Sequence, residues 1–191
     1  MPTLTIIAGP NGSGKSSTVA PLEITGRENL LDPDAIARRL NPHSPAQAAV
    51  EAGREVLSRT QEYLRAGTSF AIETTLSGHQ TFRAMRDAKR RGFIVRLLYV
   101  ALSTPEQNIH RVESRVIPGG HDVPADDVRR RYYRSLANVP EAIRIADLAT
   151  VYDNSDLRPI KVLEAHNGAI TWRAPDLPSW VETIVKALAA E

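Results

Sequence analysis

Gly9-Pro10-Asn11-Gly12-Ser13-Gly14-Lys15-Ser16 satisfies G-x-x-x-x-G-K-[ST] at every constrained position. Glycines at that spacing let backbone N–H groups turn inward around a β-phosphate, assisted by the positive end of a following helix. Lys15 is then set to reach the β- and γ-phosphates and Ser16 to offer its hydroxyl to Mg²⁺, with Ser17 closing the stretch. The bland alternative is a glycine-rich turn with an incidental lysine. The apolar run Thr3 to Ala8 before it and a helix starting at Lys15 supply the strand–loop–helix context that the motif requires. Binding of ATP or GTP is therefore expected.

Two carboxylate groups follow. "LLDPDAIARRLNP" puts Asp32 and Asp34 just past a short apolar run. Asp32 before Pro33 reads as a helix N-cap, and Asp34 would favour the helix dipole. One cap suffices, however, and a carboxylate beside the phosphate loop could instead take the proton of an attacking hydroxyl. Glu73 ends the apolar "SFAIE", with Thr74 next to it. It is either a solvated strand end or a hydrogen-bond acceptor for substrate hydroxyls at the mouth of a sheet.

Arginines supply the third group. "NIHRVESRVIPGGHDVPADDVRRRYYRSLANVP" carries Arg111, Arg115, Arg129, Arg130, Arg131 and Arg134 around a Pro-Gly-Gly-His loop. Arg111 and Arg115 share a helix face, and Arg131 and Arg134 share another. Glu113, Asp126 and Asp127 would neutralise some of them as a solvated ion-paired surface. Two basic helices about a Gly-Gly hinge also describe a lid that brings guanidinium groups onto a γ-phosphate. His121 in the hinge reads as a loop residue before a general base.

The wording of the phosphate loop is close to that of ABC-type ATPases, and "LSGHQ" at Leu76 to Gln80 resembles their LSGGQ signature. The stretch lies too near Lys15, and His79 replaces its second glycine. The next apolar strand has Ala101 and Leu102 where an Asp-Glu pair is needed. Without a metal-organising Asp and a water-activating Glu, that mechanism has no parts. A loop into a helix capped by Ser77 is the simpler reading.

The elements that must position these groups alternate. Strands are expected at Thr3–Ala8, at "ENLLD", at "SFAIE", at Phe93–Leu102 and at "LATVYDNS". Between them, helices are expected from Lys15, over Pro45–Ala66 and over Gly78–Arg91. Pro105–Arg115, Pro124–Ala137 and a separate stretch before Asp147 should also be helical. In the long helix, Ala46, Ala49, Val50, Val56, Leu57 and Leu64 fall at helical spacing, and the helix ends at Gly67. Asn167-Gly168 marks a hairpin, and "LPSWVETIVKALAAE" closes as an amphipathic helix. Alternation from the first residues implies an α/β three-layer sandwich around a mainly parallel sheet, with ligands at the carboxyl ends of the strands.

Composition narrows the rest. The 191 residues suit a single domain, 1–191, with a lid over about 105–137. A net charge of +2 argues against non-specific nucleic-acid binding. Only Lys15, Lys89, Lys161 and Lys186 are lysines, so the basic residues are nearly all arginines, which suit bidentate phosphate contacts. No cysteine is present, which removes disulfides, thiolate zinc sites and cysteine nucleophiles. With no leader pattern and no apolar run of membrane-spanning length, a soluble cytoplasmic protein without a membrane partner is expected.

Taken in order, "GPNGSGKSS", "LLDPDAIA", "FAIETTLSG" and "RVESRVIPGGHDVPADDVRRRYYRSL" resemble the zeta-toxin family of P-loop kinases, over roughly residues 3–155. The likeness is strongest to its short stand-alone bacterial branch. Members of known activity phosphorylate the 3′-hydroxyl of UDP-N-acetylglucosamine with ATP and Mg²⁺, and an antitoxin protein blocks the site. The resemblance implies that Lys15 and Ser16 serve phosphates and metal, that Asp34 is the base, and that Glu73 contacts substrate. Arg111 matches the first lid arginine. For the second, Arg115, Arg129 or Arg131 substitutes, or His121. The family's substrate-binding arginine after the glutamate is missing from "ETTLSGHQ", where His79 and Arg83 are the nearest basic groups. The expected function is thus phosphate transfer from ATP to a small-molecule hydroxyl. A kinase for a nucleoside or nucleic-acid end, or a nucleotide-binding switch without an acceptor, are the alternatives.

Overall fold

The computed structural model describes residues 1–116 and 123–190, with the backbone alone for Arg115 and Val116. Seven strands form one sheet in the order β2-β3-β1-β4-β5-β6-β7. β1 (Thr3–Ala8), β2 (Leu30–Leu31), β3 (Phe70–Thr74), β4 (Ile94–Ala101) and β5 (Leu148–Asp153) run parallel. β6 (Ile160–His166) and β7 (Ala169–Arg173) add antiparallel to that edge. Their turn places Asn167 at φ 48 and Gly168 at φ 81, the two left-handed residues that a tight hairpin between right-twisted strands demands.

Alternation along the strands makes the layers. Leu4, Ile6 and Ala8 of β1 point to one face, where they pack with α3 (Ala49–Ala66), α4 (Gln80–Arg90), α6 (Ala125–Ile145) and α7 (Ser179–Ala189). Ile7 points to the other face, against Ala71, Leu98, and Val19 of α1 (Lys15–Val19). A helix–sheet–helix sandwich with a mainly parallel sheet results, as the alternation of elements implies. Three helices carry the remaining site residues: α2 (Pro33–Leu40), α5 (Pro105–Val116) and the long α6.

Several elements differ from their sequence-based expectation. The second strand is only Leu30–Leu31, preceded by a 3₁₀ turn at Arg27–Asn29. α6 does not break near Ala137 but continues through Pro140 to Ile145. Val139, Pro140, Ala142 and Ile143 are all buried there, and that packing outweighs the missing proline N–H. α3 does not turn its whole apolar series inward: Ala52 and Leu64 are buried, whereas Val50 and Leu57 are 69% and 45% exposed. Ser77 does not cap α4, whose N-cap position is His79 without a side-chain bond.

Asp147 ties several of these pieces together. Its carboxylate accepts from Lys89 Nζ at 2.7 Å and from the Val95 N–H at 2.8 Å, while its carbonyl accepts from the Asn167 N–H at 2.9 Å. Burial alone would raise this carboxyl, but the Lys89 and Val95 hydrogen bonds outweigh it and hold the pKa below the ordinary aspartate value. Its contribution is therefore complete above the usual aspartate range and lost as pH falls through the lowered pKa. Asp147→Asn should lower stability by about 1–3 kcal/mol at neutral pH. Urea unfolding checks this, and the gap between the two proteins should close on acidification. Equal stability at neutral pH would rule out the tie.

Candidate active site

The phosphate loop is held from three sides. Gly9 N donates to Thr74 O at 3.1 Å, fastening the start of the loop to the end of β3. Asn108 Nδ2 on α5 donates to Asn11 O at 2.6 Å, and Asn154 Nδ2 after β5 donates to Ser13 O at 2.9 Å. Both asparagines are buried. They approach so closely that two glycines are required. A Cβ on Gly12 would lie 2.4 Å from Asn108 O, and one on Gly14 would lie 2.3 Å from Asn154 Nδ2. Both glycines also have left-handed φ, 77 and 82 respectively, which side chains disfavour. Lys15 Nζ donates to Gly9 O at 2.9 Å and Pro10 O at 3.3 Å, arching its ammonium over the loop. The Ser17 hydroxyl donates to Gly14 O at 3.0 Å.

The carboxylates come from the neighbouring strand ends. Asp32 is the N-cap of α2, with its Oδ1 accepting from Asp34 N at 2.9 Å, as the Asp-Pro pair implies. The cap turns the chain so that Asp34 borders the loop with its own carboxylate accepting no hydrogen bond among the described residues. Parallel register sets Ile7 beside Glu73 and Ala8 beside Thr74. Glu73 therefore emerges next to Lys15: Nζ is 3.9 Å from its Oε1, and the Ser16 hydroxyl is 3.4 Å from both carboxylate oxygens. Burial raises the Glu73 carboxyl, and the nearby Asp32 and Asp34 add to the rise, while Lys15 and the Ser16 hydrogen bond work against it.

The arginines divide. Arg111 Nη2 on α5 donates to Asn154 O at 2.8 Å, and Arg131 Nη1 on α6 donates to Asn11 Oδ1 at 3.2 Å. Arg129 pairs with Glu106 and Asp126, and Arg130 with Asp127, so these two belong to the ion-paired surface. The side chain of Arg115 and the hinge with His121 lie outside the described residues.

Two adjoining cavities result. One, of about 280 Å³, lies among Asn11, Lys15, Asp34, Glu73, Ser77 and Arg131. The other, of about 530 Å³, lies among Gly12, Lys15, Ser16, Asp34, Glu73 and Arg111. Lys15, Asp34 and Glu73 border both, and one arginine faces each. Among the described residues no group of three or more His, Cys, Asp or Glu could hold a metal alone. The Ser16 hydroxyl with nearby carboxylates is an oxygen-only donor set, the kind Mg²⁺ uses when phosphates supply its remaining ligands.

Three contributors were not legible in the sequence. Asn108 and Asn154 have no motif around them, and their role depends on distant segments meeting the loop. Leu76 is a fully buried leucine at φ 56, a conformation rare for such a side chain. The Thr74 hydroxyl accepts its N–H at 3.1 Å, and Asn138 Nδ2 donates to its carbonyl at 2.8 Å. That turn carries Thr75 and Ser77 to the wall of the smaller cavity, and it occupies the stretch that looks like an ABC signature.

The model of the AAA_33 family, described as an AAA domain, matches residues 4–139. An uncharacterized protein of Haemophilus influenzae Rd is 36% identical over 124 residues, which is 65% of this chain and 88% of that protein. A chain of the AvrRxo1-ORF1:-ORF2 complex with ATP aligns with a TM-score of 0.71 at 18% identity, over 97% of this chain and 63% of that one. The present chain thus spans less than two thirds of that neighbour's length. The PezAT chromosomal toxin-antitoxin system of Streptococcus pneumoniae contains a chain aligned with a TM-score of 0.60 at 15% identity, over 100% of this chain and 88% of that one. These structural likenesses bear on the fold alone, a P-loop α/β architecture with a mainly parallel sheet. With 4–139 matched by the family model, the chain belongs to the AAA_33 family of AAA domains.

Proposed function

We propose that this protein is an ATP- and Mg²⁺-dependent kinase of the zeta-toxin type, transferring the γ-phosphate to a hydroxyl of a small molecule, with UDP-N-acetylglucosamine the first candidate. The observation that carries the reading is the meeting of Lys15, Ser16, Asp34 and Glu73 where two cavities adjoin, with Arg111 on one side and Arg131 on the other. A switch that only binds nucleotide has no use for a second cavity bordered by the same carboxylates.

In this reading the loop from Gly9 to Ser17 binds the nucleotide phosphates, and the chain 1–191 acts as one kinase domain in the cytoplasm. The acceptor oxygen attacks the γ-phosphorus, the bond to the β-phosphate oxygen breaks, and ADP leaves. Asp34 takes the hydroxyl proton, for which its uncommitted carboxylate is suited. Glu73, with Thr74, positions the acceptor by accepting from it. Lys15, Arg111 and Arg131 offset the charge that spreads over the transferring group, with α5 and α6 acting as the lid. Ser16 would hold Mg²⁺, which would supply charge neutralisation on the phosphates. A separate antitoxin protein as partner is supported by the toxin-antitoxin system among the similar structures.

Incubation with labelled ATP and a panel of nucleotide sugars, nucleosides and nucleic-acid ends tests the reading. A labelled acceptor is the expected result, and hydrolysis without one would sink it. Asp34→Asn should cut transfer by about 10²–10⁴-fold while leaving ATP affinity unchanged; a variant as fast as wild type removes Asp34 from the mechanism.

Glu73 adds a pH test. Because its pKa is raised, the folded protein keeps a proton that the unfolded chain releases, so stability falls as pH rises from the ordinary glutamate value through the raised one. Glu73→Gln should abolish that decline and unfold at a higher temperature than wild type near neutrality, although transfer is impaired. Parallel melting curves across pH for the two proteins would refute the assignment.

A further inference from the structure

Lys15, Asp34 and Glu73 are not alone at the boundary of the two site cavities, because Asn11 lines both as well. It stands at the tip of a tight turn closed by the Ser13 N–H, which donates to Pro10 O at 3.2 Å. Gly12 takes the left-handed position that follows, at φ 77. The Lys15 ammonium donates to the same Pro10 carbonyl at 3.3 Å, which keeps it beside the turn. Two carboxylates, one ammonium and one neutral amide therefore share this boundary.

The backbone and the side chain of Asn11 are held separately. Its carbonyl accepts from Asn108 Nδ2 at 2.6 Å, fastening the turn to α5, and its side-chain Oδ1 accepts from Arg131 Nη1 at 3.2 Å. A guanidinium has five N–H donors and no acceptor, so the atom facing Arg131 must be the amide oxygen. Nδ2 is thereby turned away from Arg131, and it has no hydrogen-bond partner among the described residues. Buried side-chain atoms left without a partner occur there at Ser13, Thr18, Asn108 and Trp180, and Asn11 Nδ2 is not one of them. In a residue only 9% exposed, that leaves its two N–H groups opening on the cavities. A cation on the amide oxygen also polarises the group and strengthens those donors.

We propose that the Asn11 side chain, aimed by Arg131, recognises the γ-phosphate of the bound nucleotide and sets the preference for a triphosphate over a diphosphate. A support for Arg131 would need an oxygen alone, and a carboxylate would serve it at least as well. The amide adds the donors that a carboxylate lacks. Being neutral, it bonds phosphoryl oxygens without the ion pair that a further cation would form with Asp34 or Glu73, and hydrogen bonds to so charged an acceptor are the strong ones. The inference rests on the kinase reading for the fate of that phosphate, not for its binding.

The test measures affinity for Mg²⁺·ADP by calorimetry with and without beryllium fluoride, which takes the place of the γ-phosphate. Wild type should gain affinity when the fluoride is added. Asn11→Ala should lose about tenfold or more of that gain. It should bind Mg²⁺·ADP alone as before, since the turn is fastened through the Asn11 carbonyl. Asn11→Asp keeps an oxygen for Arg131 but offers no donor, so it should lose at least as much. In an Arg131→Ala background, Asn11→Ala should still cause a further loss, which a mere support for Arg131 would not. The assignment is overturned if wild type gains nothing from the fluoride, or if either Asn11 variant keeps the wild-type gain. It also falls if Asn11→Ala weakens Mg²⁺·ADP alone in the same proportion, or costs nothing once Arg131 is gone. Discrimination that follows Asn11 in a protein that labels no acceptor would instead overturn the kinase reading and leave the role of Asn11 standing.

Discussion

Glu73 sits beside Lys15 because β1 and β3 are parallel neighbours in a register that puts Ile7 against Glu73. A half-buried carboxylate is costly unless cations and hydroxyls compensate it, and here the ammonium at 3.9 Å and the Ser16 hydroxyl at 3.4 Å do so only in part. The remaining acidic neighbours, Asp32 and Asp34, push the other way. The phosphate loop beside that group is fixed independently, by the bond from Gly9 N to Thr74 O and by the two buried asparagines, and the strand that carries Glu73 leads directly into the left-handed turn at Leu76. Strain and imperfect compensation of this kind gather where a protein binds rather than where it merely packs.

The two helices after β4 matter because they touch the same asparagine from different sides. Asn108 of α5 donates to the Asn11 carbonyl, and Arg131 of α6 donates to the Asn11 side chain. Arg111 in turn leans on Asn154, whose amide holds Ser13. The loop, the end of β5 and both arginine-bearing helices thus form one hydrogen-bonded unit. A change in position of either helix is therefore felt at the loop.

Ion pairing sorted the arginines in a way that counting them does not. Arg129 and Arg130 are spoken for by Glu106, Asp126 and Asp127, all on helix surfaces. Arg111 and Arg131 instead reach neutral backbone and amide oxygens at the cavity walls and make no ion pair among the described residues. A guanidinium held by a carbonyl is positioned without being neutralised, and that is the state in which it can act on a phosphate.

The local chemistry was legible because it is written in contiguous residues. The loop from Gly9 to Ser16, the Asp32–Pro33 cap, the Asn167–Gly168 turn and the alternation of strands with helices each depend on backbone preferences that act over a few positions. Tertiary structure alone decided what those preferences leave open. Burial carried α6 through Pro140, and the partial wetness of α3 turned Val50 and Leu57 into the wall of a cleft. Register and crossover geometry brought Asn108, Asn154 and Arg131 to a loop about a hundred or more residues away along the chain, a distance over which no local pattern reports.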